Sequence, residues 1–283
     1  MVYGEPWTGG TAAVVNGATQ AVSSSSGEGI GAFDDDFRDA IKGAEFGGFK
    51  QGHVQGTYSD SGINTGLVGK SGKNNRNVTG ILGLGLHYVE CHDNYTLFDK
   101  LAISYWQRAN DKTTTTTGNL FTKIGDDGLV EVKAENKLAG AFVLLSQGTA
   151  FLNGGQEFLR TKRGNENSYN TSNTSSLSTN GIDLTFKEKY SDVYNVYKGL
   201  IALRKANPSA FGSNAGAKAE TVSKGVTKYT TGDFLVYFNA TDAEAAISSG
   251  GYTKVIDVTS GTPAESGTIP EKVPAKSFVI LTK

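Results

Sequence analysis

The sequence has very little cysteine, no excess of charge of either sign and no long apolar run. Cys91 is the only cysteine among 283 residues, so an intramolecular disulfide framework is excluded. The 27 basic and 28 acidic residues give a net charge of −1, which removes the electrostatic basis for binding nucleic acid. The longest nearly uncharged apolar stretch, residues 138–152, is shorter than the roughly 20 residues of a membrane-spanning helix. These absences argue against nucleic-acid and membrane partners.

A leader segment is not recognisable either. The residues after Met1 form neither a basic segment nor an apolar run of signal length, so the sequence predicts no compartment. The apolar fraction of 37% supports a folded core. Twelve Tyr, fourteen Phe and two Trp accompany many Asn, Ser and Thr residues, a mixture that suits a neutral, sugar-like ligand as well as a plain aromatic core.

One stretch, residues 88–94, ends an apolar run in a cluster of polar groups. Residues 81–89 are rich in Leu, Tyr and Val, which indicates a strand buried on both faces of a parallel sheet. His92, Asp93 and Asn94 then follow at its carboxyl end, where α/β folds place their chemistry. An equally simple interpretation is that these three residues only form a turn and cap the next helix.

Two other features allow a chemical and a structural interpretation. Cys91 lies beside His92 and could be mistaken for a nucleophile, but a buried, inert strand residue is the favoured interpretation. Asp34, Asp35 and Asp36 invite a metal site, yet acidic residues are ordinary in the first turn of a helix, which is the favoured assignment.

Hydrophobic periodicity predicts an α/β part followed by an all-β part. Residues 2–7 form the end of a strand that Pro6 stops, residues 8–32 form a loop, and residues 149–153 form a short strand. Helices are predicted at residues 32–43, 63–69, 95–106, 131–148 and 190–207. Within residues 217–283, short alternating runs at 227–229, 234–239, 252–256 and 277–281 predict strands, so the boundary separates residues 1–211 from an antiparallel domain at 212–283.

Several separate segments together resemble one enzyme family. Glu5, the pair His92-Asp93 and the pair Gln156-Glu157 each stand at the end of a predicted strand. With their neighbours they resemble glycoside hydrolase family 13, the α-amylase superfamily, and most closely its debranching members of the type I pullulanase group. The segments that carry the resemblance are YGEPW (3–7), FDDDFRDA (33–40), YVECHDNYTLFDKL (88–101), GQEFLRTK (155–162), ENSY (166–169) and YKGLIALR (197–204).

The resemblance implies a fold and a set of roles. It implies an α/β fold: the C-terminal half of a TIM (β/α)8 barrel, strands five to eight, followed by a small antiparallel β-sandwich domain. Glu5 matches the family's general acid/base, Asp93 its transition-state stabiliser and His92 a substrate-binding residue. Weaker matches make Trp7, Asn94 and Arg160 substrate-lining residues. The implied substrate is an α-glucan cleaved at α-1,6 branch linkages by a retaining mechanism, with no cofactor; calcium occurs in the superfamily, but we identify no metal ligands.

The sequence also departs from the family pattern. The nucleophilic aspartate of these enzymes would precede Glu5, on a strand that this chain does not contain, so we assign no nucleophile. We therefore expect the chain to be inactive alone and to be completed by the N-terminal half of the barrel, since a half barrel leaves open sheet edges and an uncovered apolar face. Leu184 and Cys91 also stand where relatives tend to have tryptophan and serine.

Two alternatives remain open. In the first, the chain is a non-catalytic derivative of such an enzyme that binds carbohydrate or a protein partner. In the other it has a different activity of the superfamily, such as that of an isoamylase or a neopullulanase-like enzyme.

Overall fold

The computed structural model describes residues 2–5, 30–46, 48–70, 85–169, 179–212 and 216–283. Its first sheet has four strands in the order β1-β2-β3-β4, and all neighbours are parallel. Parallel neighbours need long crossover connections, and those described, from β2 to β3 and from β3 to β4, contain helices. The strands are β1 Val2–Gly4, β2 Ile30–Phe33, β3 Gly85–His87 and β4 Thr149–Ala150.

The helices begin where short polar side chains cap them. Asp34 Oδ1 accepts a hydrogen bond from Phe37 N at 3.0 Å, and Thr96 Oγ1 accepts one from Asp99 N at 3.1 Å. Within the described ranges, no helix combines the length and the apolar character needed to cross a bilayer. The helices are α1 Asp35–Lys42, α2 Asp60–Leu67, α3 Leu97–Asn110, α4 Leu120–Leu145, α5 Phe186–Lys189, α6 Ser191–Ala206 and α7 Pro208–Phe211, with 3-10 turns at His53–Gln55 and Gln156–Phe158.

The clearest differences from the sequence prediction in the α/β part are at β2 and α4. The sequence predicts a loop and the start of a helix at residues 30–33, but they form β2, which pairs with β1 and β3. Helix α4 begins at Leu120 rather than near residue 131, with one interruption at Gly125, whose φ is 64°. The cause is the same in both places: glycine-rich and acidic residues carry no hydrophobic period, so neighbouring elements decide the conformation.

The C-terminal part contains the predicted alternating strands. Side chains of β7 point alternately to two apolar clusters: Val236 and Phe238 pack toward α4, whereas Leu235 and Tyr237 pack on the opposite face. A six-stranded antiparallel sheet has the order β10-β9-β12-β7-β6-β5, beside a two-stranded ribbon of β8 and β11. The strands are β5 Lys218–Ser223, β6 Val226–Thr231, β7 Phe234–Asn239, β8 Ala245–Ala246, β9 Lys254–Asp257, β10 Ala264–Ser266, β11 Lys272–Val273 and β12 Ser277–Thr282.

One hydrophobic core crosses the boundary drawn at residue 211. Phe142 of α4 stacks on Phe238 of β7 with ring centroids 4.4 Å apart, and both rings are fully buried. Polar contacts reinforce this junction, since Gln147 Nε2 lies 2.7 Å from Tyr229 Oη and Lys276 Nζ donates to Val54 O at 3.0 Å. The α/β part and the antiparallel sheet are therefore packed as one body.

The four-stranded sheet is less open than the half-barrel argument predicts. Tyr3 on β1 is 51% exposed, but Phe33, Leu86 and Tyr88 on the same face are 7%, 1% and 1% exposed. The rings of Phe33 and Tyr88 meet edge to face at 4.9 Å, and Phe151 joins them at 5.1 Å from Phe33. The expectation of an uncovered apolar face is thus wrong at the centre of the sheet, because its aromatic side chains cover one another, and it holds at Tyr3.

His53 should make the free energy of unfolding depend on pH. Its side chain is fully buried, and burial lowers the pKa of its imidazole from 6.5 to about 4. Because the folded state binds this proton more weakly than the unfolded chain, stability is present above pH 6.5 and is lost as the pH falls toward 4. The loss amounts to at most about 3 kcal/mol for a shift of this size.

Urea unfolding between pH 4 and 7 tests this expectation. His53→Asn keeps an acceptor for Ser59 N, which now bonds His53 Nδ1 at 3.1 Å, and should flatten the pH dependence. His92→Asn is the comparison variant, because the His92 side chain is 67% exposed, and it reports the effect of replacing a histidine at the surface. Equal slopes for the parent chain and His53→Asn would contradict the assignment.

Candidate functional site

Three polar side chains from two strands meet at one edge of the parallel sheet. Glu5 follows β1, and His92 and Asp93 lie in the turn after β3. His92 Nε2 is 3.4 Å from Glu5 Oε1 and 3.6 Å from Asp93 Oδ1, and one polar atom from each residue lies within 4.8 Å of the others. Parallel strands bring their carboxyl ends to the same edge, which explains how residues so far apart in the sequence become neighbours.

This Glu5–His92–Asp93 cluster is open to a ligand. The side chains are 38%, 67% and 47% exposed, respectively. Two carboxyl groups this close can divide the work of acid catalysis, one giving a proton while the other stabilises a developing positive charge. One nitrogen and two oxygens are also the atoms that hold a metal ion, but exposed acidic groups are common without one, and we assign none.

Glu90 and Asn153 form a hydrogen-bonded pair that the sequence analysis missed, and Glu90 directly precedes the turn that carries His92 and Asp93. Glu90 is fully buried, and its Oε2 accepts from Leu97 N at 2.8 Å while its Oε1 accepts from Asn153 Nδ2 at 2.9 Å. Burial raises the pKa of the Glu90 carboxyl to about 7, and these hydrogen bonds oppose the rise. The sequence did contain a signal for Glu90: it is a carboxylate at the end of an apolar run, where an ionised group is costly unless it has hydrogen-bond partners.

The weaker substrate-lining predictions find less support in the geometry. Asn94 is 5% exposed and has a φ of 59°, so it serves the turn itself and offers little surface to a ligand. Arg160 Nη2 donates to Asn180 O at 3.0 Å and makes no described hydrogen bond to the cluster. Trp7 lies outside the described residues. The roles of all three stay predictions.

Cys91 and the aspartate run have structural environments. Cys91 is half-buried in the turn after β3, not in a strand as expected, and burial raises the pKa of its thiol, which keeps it protonated and unreactive. Asp34 caps α1, and Asp35 Oδ1 lies 3.1 Å from Arg38 Nη1. These contacts favour the helix-start interpretation over a metal site.

A Ser-His-Asp contact chain is also present, but it is sealed in the core. His87 Nδ1 lies 2.8 Å from Ser146 Oγ, and His87 Nε2 lies 3.5 Å from Asp34 Oδ2. Ser146 Oγ donates its proton to Val143 O at 2.9 Å, so it accepts from the imidazole. Since each of the three residues is at most 1% exposed, no substrate reaches them. Their contacts instead connect α1, β3 and the end of α4.

Comparison with known proteins assigns the family. The pullulanase of Bacillus subtilis (strain 168) is 31% identical over 214 residues, 74% of this chain, and the isoamylase of Pseudomonas amyloderamosa is 27% identical over 220 residues. The solved pullulanase of Bacillus acidopullulyticus superposes with a TM-score of 0.78 at 26% identity, covering 99% of this chain. The chain belongs to the pullulanase-type glycoside hydrolases. No family model matches the sequence.

The pullulanase-type chain corresponds to a C-terminal portion of such proteins. It spans 26% of the length of the two curated relatives and 34% of the Bacillus acidopullulyticus chain. The pullulanase of Paenibacillus barengoltzii, solved with maltohexaose and α-cyclodextrin, superposes with a TM-score of 0.73 at 27% identity, over 100% of this chain and 43% of that one. The family assignment made from the sequence motifs is thus confirmed, and the likeness extends over the mixed α/β part and the antiparallel sheet.

Proposed function

We propose that the chain supplies one half of the active site of an enzyme that hydrolyses α-1,6-glucosidic branch linkages in α-glucans with retention of configuration. In this proposal β1 to β4 are strands five to eight of a (β/α)8 barrel, and the antiparallel sheets form a β-sandwich behind it. The observation that carries the proposal is the meeting of Glu5 with His92 and Asp93 at the carboxyl edge of the parallel strands. The likeness to pullulanases and isoamylases supplies the substrate class.

Each residue of the cluster has a chemical task in this mechanism. Glu5, as a carboxylic acid, protonates the oxygen that leaves the branch point, and as a carboxylate it later activates the water that releases the sugar. Asp93 and His92 hold ring hydroxyls, and their hydrogen bonds strengthen as the sugar acquires oxocarbenium character. The exposure of all three side chains leaves room for a glucan at this edge.

Retention of configuration also requires a nucleophilic carboxylate about 5 Å from the acid. In the described part of the chain, the cluster contains the carboxyl groups of Glu5 and Asp93 and no third one. We therefore propose that the nucleophile comes from a polypeptide that forms the remaining barrel strands, and that the 283-residue chain alone does not hydrolyse pullulan.

A reducing-sugar assay on pullulan tests both parts of this proposal. We expect no turnover with the purified chain and measurable turnover after co-expression with the N-terminal part of a pullulanase-type enzyme, here called the completed enzyme. Robust hydrolysis by the purified chain would contradict the requirement for a second polypeptide. A completed enzyme that binds maltohexaose but never hydrolyses pullulan would favour the carbohydrate-binding alternative.

The isoamylase relatives support a second activity. Isoamylase from Pseudomonas amyloderamosa matches over the same share of this chain as the pullulanase, 74%. Comparing initial rates of the completed enzyme on pullulan and on glycogen separates the two, because an isoamylase-like site should favour the branched polymer.

A further inference from the structure

The turn that carries His92 and Asp93 has few hydrogen bonds of its own. In the described ranges, no backbone-to-backbone hydrogen bond involves residues 91–95. Asn94 adds a left-handed φ of 59°, which a non-glycine residue adopts only when its surroundings hold it there. The orientation of the exposed His92 and Asp93 side chains must therefore be set by contacts from outside residues 91–95.

Glu90 and Asn153 provide those contacts. One carboxylate joins both ends of the turn, because Glu90 precedes it and accepts from Leu97 N, the first residue of α3. Asn153, after β4, donates to Glu90 Oε1 and also lies 3.2 Å from Cys91 O, so both of its amide protons have acceptors. The pair thus links the carboxyl ends of β3 and β4 to the start of α3.

We propose that Glu90 and Asn153 are positioning residues that orient His92 and Asp93 toward the substrate. The proposal rests on the proposed function for what the turn is used for, but the geometry it describes is independent of hydrolysis. Two donors converge on Glu90, and an apolar side chain there would leave Leu97 N buried without a partner and would remove one of the two acceptors of Asn153 Nδ2.

Burial and hydrogen bonding act on Glu90 in opposite directions. Both carboxylate oxygens accept hydrogen bonds, which favours the ionised form, whereas complete burial disfavours it and raises the pKa to about 7. With this pKa the carboxyl is divided between its ionised and neutral forms at neutral pH, and the two donors shift the balance toward the ionised form. Removing either donor should therefore weaken the arrangement of the whole turn.

Four variants of the full chain test the proposal. Asn153→Asp places a second carboxylate 2.9 Å from Glu90 and should break the pair. The double variant Glu90→Gln with Asn153→Asp should restore the hydrogen bond between the two side chains with reversed polarity, because the glutamine amide can donate to the new carboxylate while its oxygen still accepts from Leu97 N. It does not replace the donor to Cys91 O, so the recovery should be partial. Glu90→Gln alone introduces no second carboxylate. It is the variant to measure if Asn153→Asp does not fold.

Asn239→Asp is the matched control. Asn239 is a fully buried amide in the antiparallel sheet that donates to Ala243 O at 2.8 Å and Pro274 O at 3.0 Å. The substitution places an additional carboxyl group among partners that all lie outside the turn, so it reports the general effect of lost stability.

Two measurements locate the effect. Amide hydrogen exchange at residues 91–97 should accelerate by about 10-fold or more in Asn153→Asp, return toward the parent rate in the double variant and stay unchanged in Asn239→Asp. The NMR signals of the His92 ring should shift in Asn153→Asp and recover in the double variant. They are identified among those of the three histidines by their absence in His92→Asn. In the completed enzyme, kcat should fall by about 10- to 100-fold with a smaller change in KM.

The outcomes separate this proposal from the proposed function. Unchanged exchange and unchanged His92 signals in both Asn153→Asp and Glu90→Gln would overturn the positioning role, as would the same changes in Asn239→Asp. A completed enzyme without hydrolytic activity would contradict the proposed function and leave the exchange and spectroscopic results standing.

Discussion

Glu5→Gln is expected to lower pullulan hydrolysis by the completed enzyme by about 100- to 10,000-fold, the range associated with loss of a general acid. An amide of the same size keeps the contact with His92, which lies 3.4 Å from Glu5 Oε1, but it cannot protonate the leaving oxygen. The measurement is kcat on pullulan, followed by kcat on an α-glucoside whose leaving group needs no proton.

The activated glucoside distinguishes loss of a general acid from loss of sugar binding. If Glu5 is the general acid, activity on the activated glucoside should be reduced much less in its bond-breaking step than activity on pullulan. Glu265→Gln is the control, since Glu265 lies on β10 with a side chain 53% exposed and pairs with Lys254 away from the cluster. An equal loss on both substrates would argue that Glu5 only binds sugar.

Phe238→Ala is expected to cost about 3–5 kcal/mol of unfolding free energy and to destabilise both parts of the chain together. The ring is fully buried and stacks on Phe142 of α4, so its removal opens a cavity between the antiparallel sheet and the longest helix. Chemical unfolding should show one transition, shifted to lower denaturant concentration, when followed by both far-ultraviolet circular dichroism and aromatic fluorescence.

Val222→Ala provides the comparison for this prediction. Val222 lies on β5 and is 50% exposed, so its truncation should change the unfolding free energy by less than about 0.5 kcal/mol. Two separated transitions, with only one affected by Phe238→Ala, would show that residues 1–211 and 212–283 unfold as independent domains. That outcome would contradict the continuous core.

The sequence predicted those elements whose side chains carry a clear period. Helices α3 and α6 and strands β6, β7, β9 and β12 appear close to the expected positions, because an apolar stripe can be buried in only one way in each. β2 was missed because its four residues, IGAF, do not alternate between apolar and polar side chains. β5 was missed because its side chains are mostly exposed and therefore form no apolar face. Such segments become strands through pairing with neighbours.

The candidate site also has parts that the sequence predicts and parts that it does not. Glu5, His92 and Asp93 could be named from the sequence because their chemical groups and flanking motifs are local features. Their convergence within 4.8 Å is a structural finding, because it depends on the parallel pairing that brings the strand ends to one edge. The roles of these residues, and those of Trp7, Asn94 and Arg160, stay predictions until the variants are assayed.

The sequence by itself determined the family and the succession of an α/β part and a β part, and it predicted Glu5 and Asp93 as site residues. Only the tertiary structure decided that the turn at residues 91–96 is held by Glu90 and Asn153 and that one core joins Phe142 to Phe238. The physical reason is separation along the chain: these pairs lie 63 and 96 residues apart, and packing and hydrogen bonding between distant segments leave no period or local motif to be read.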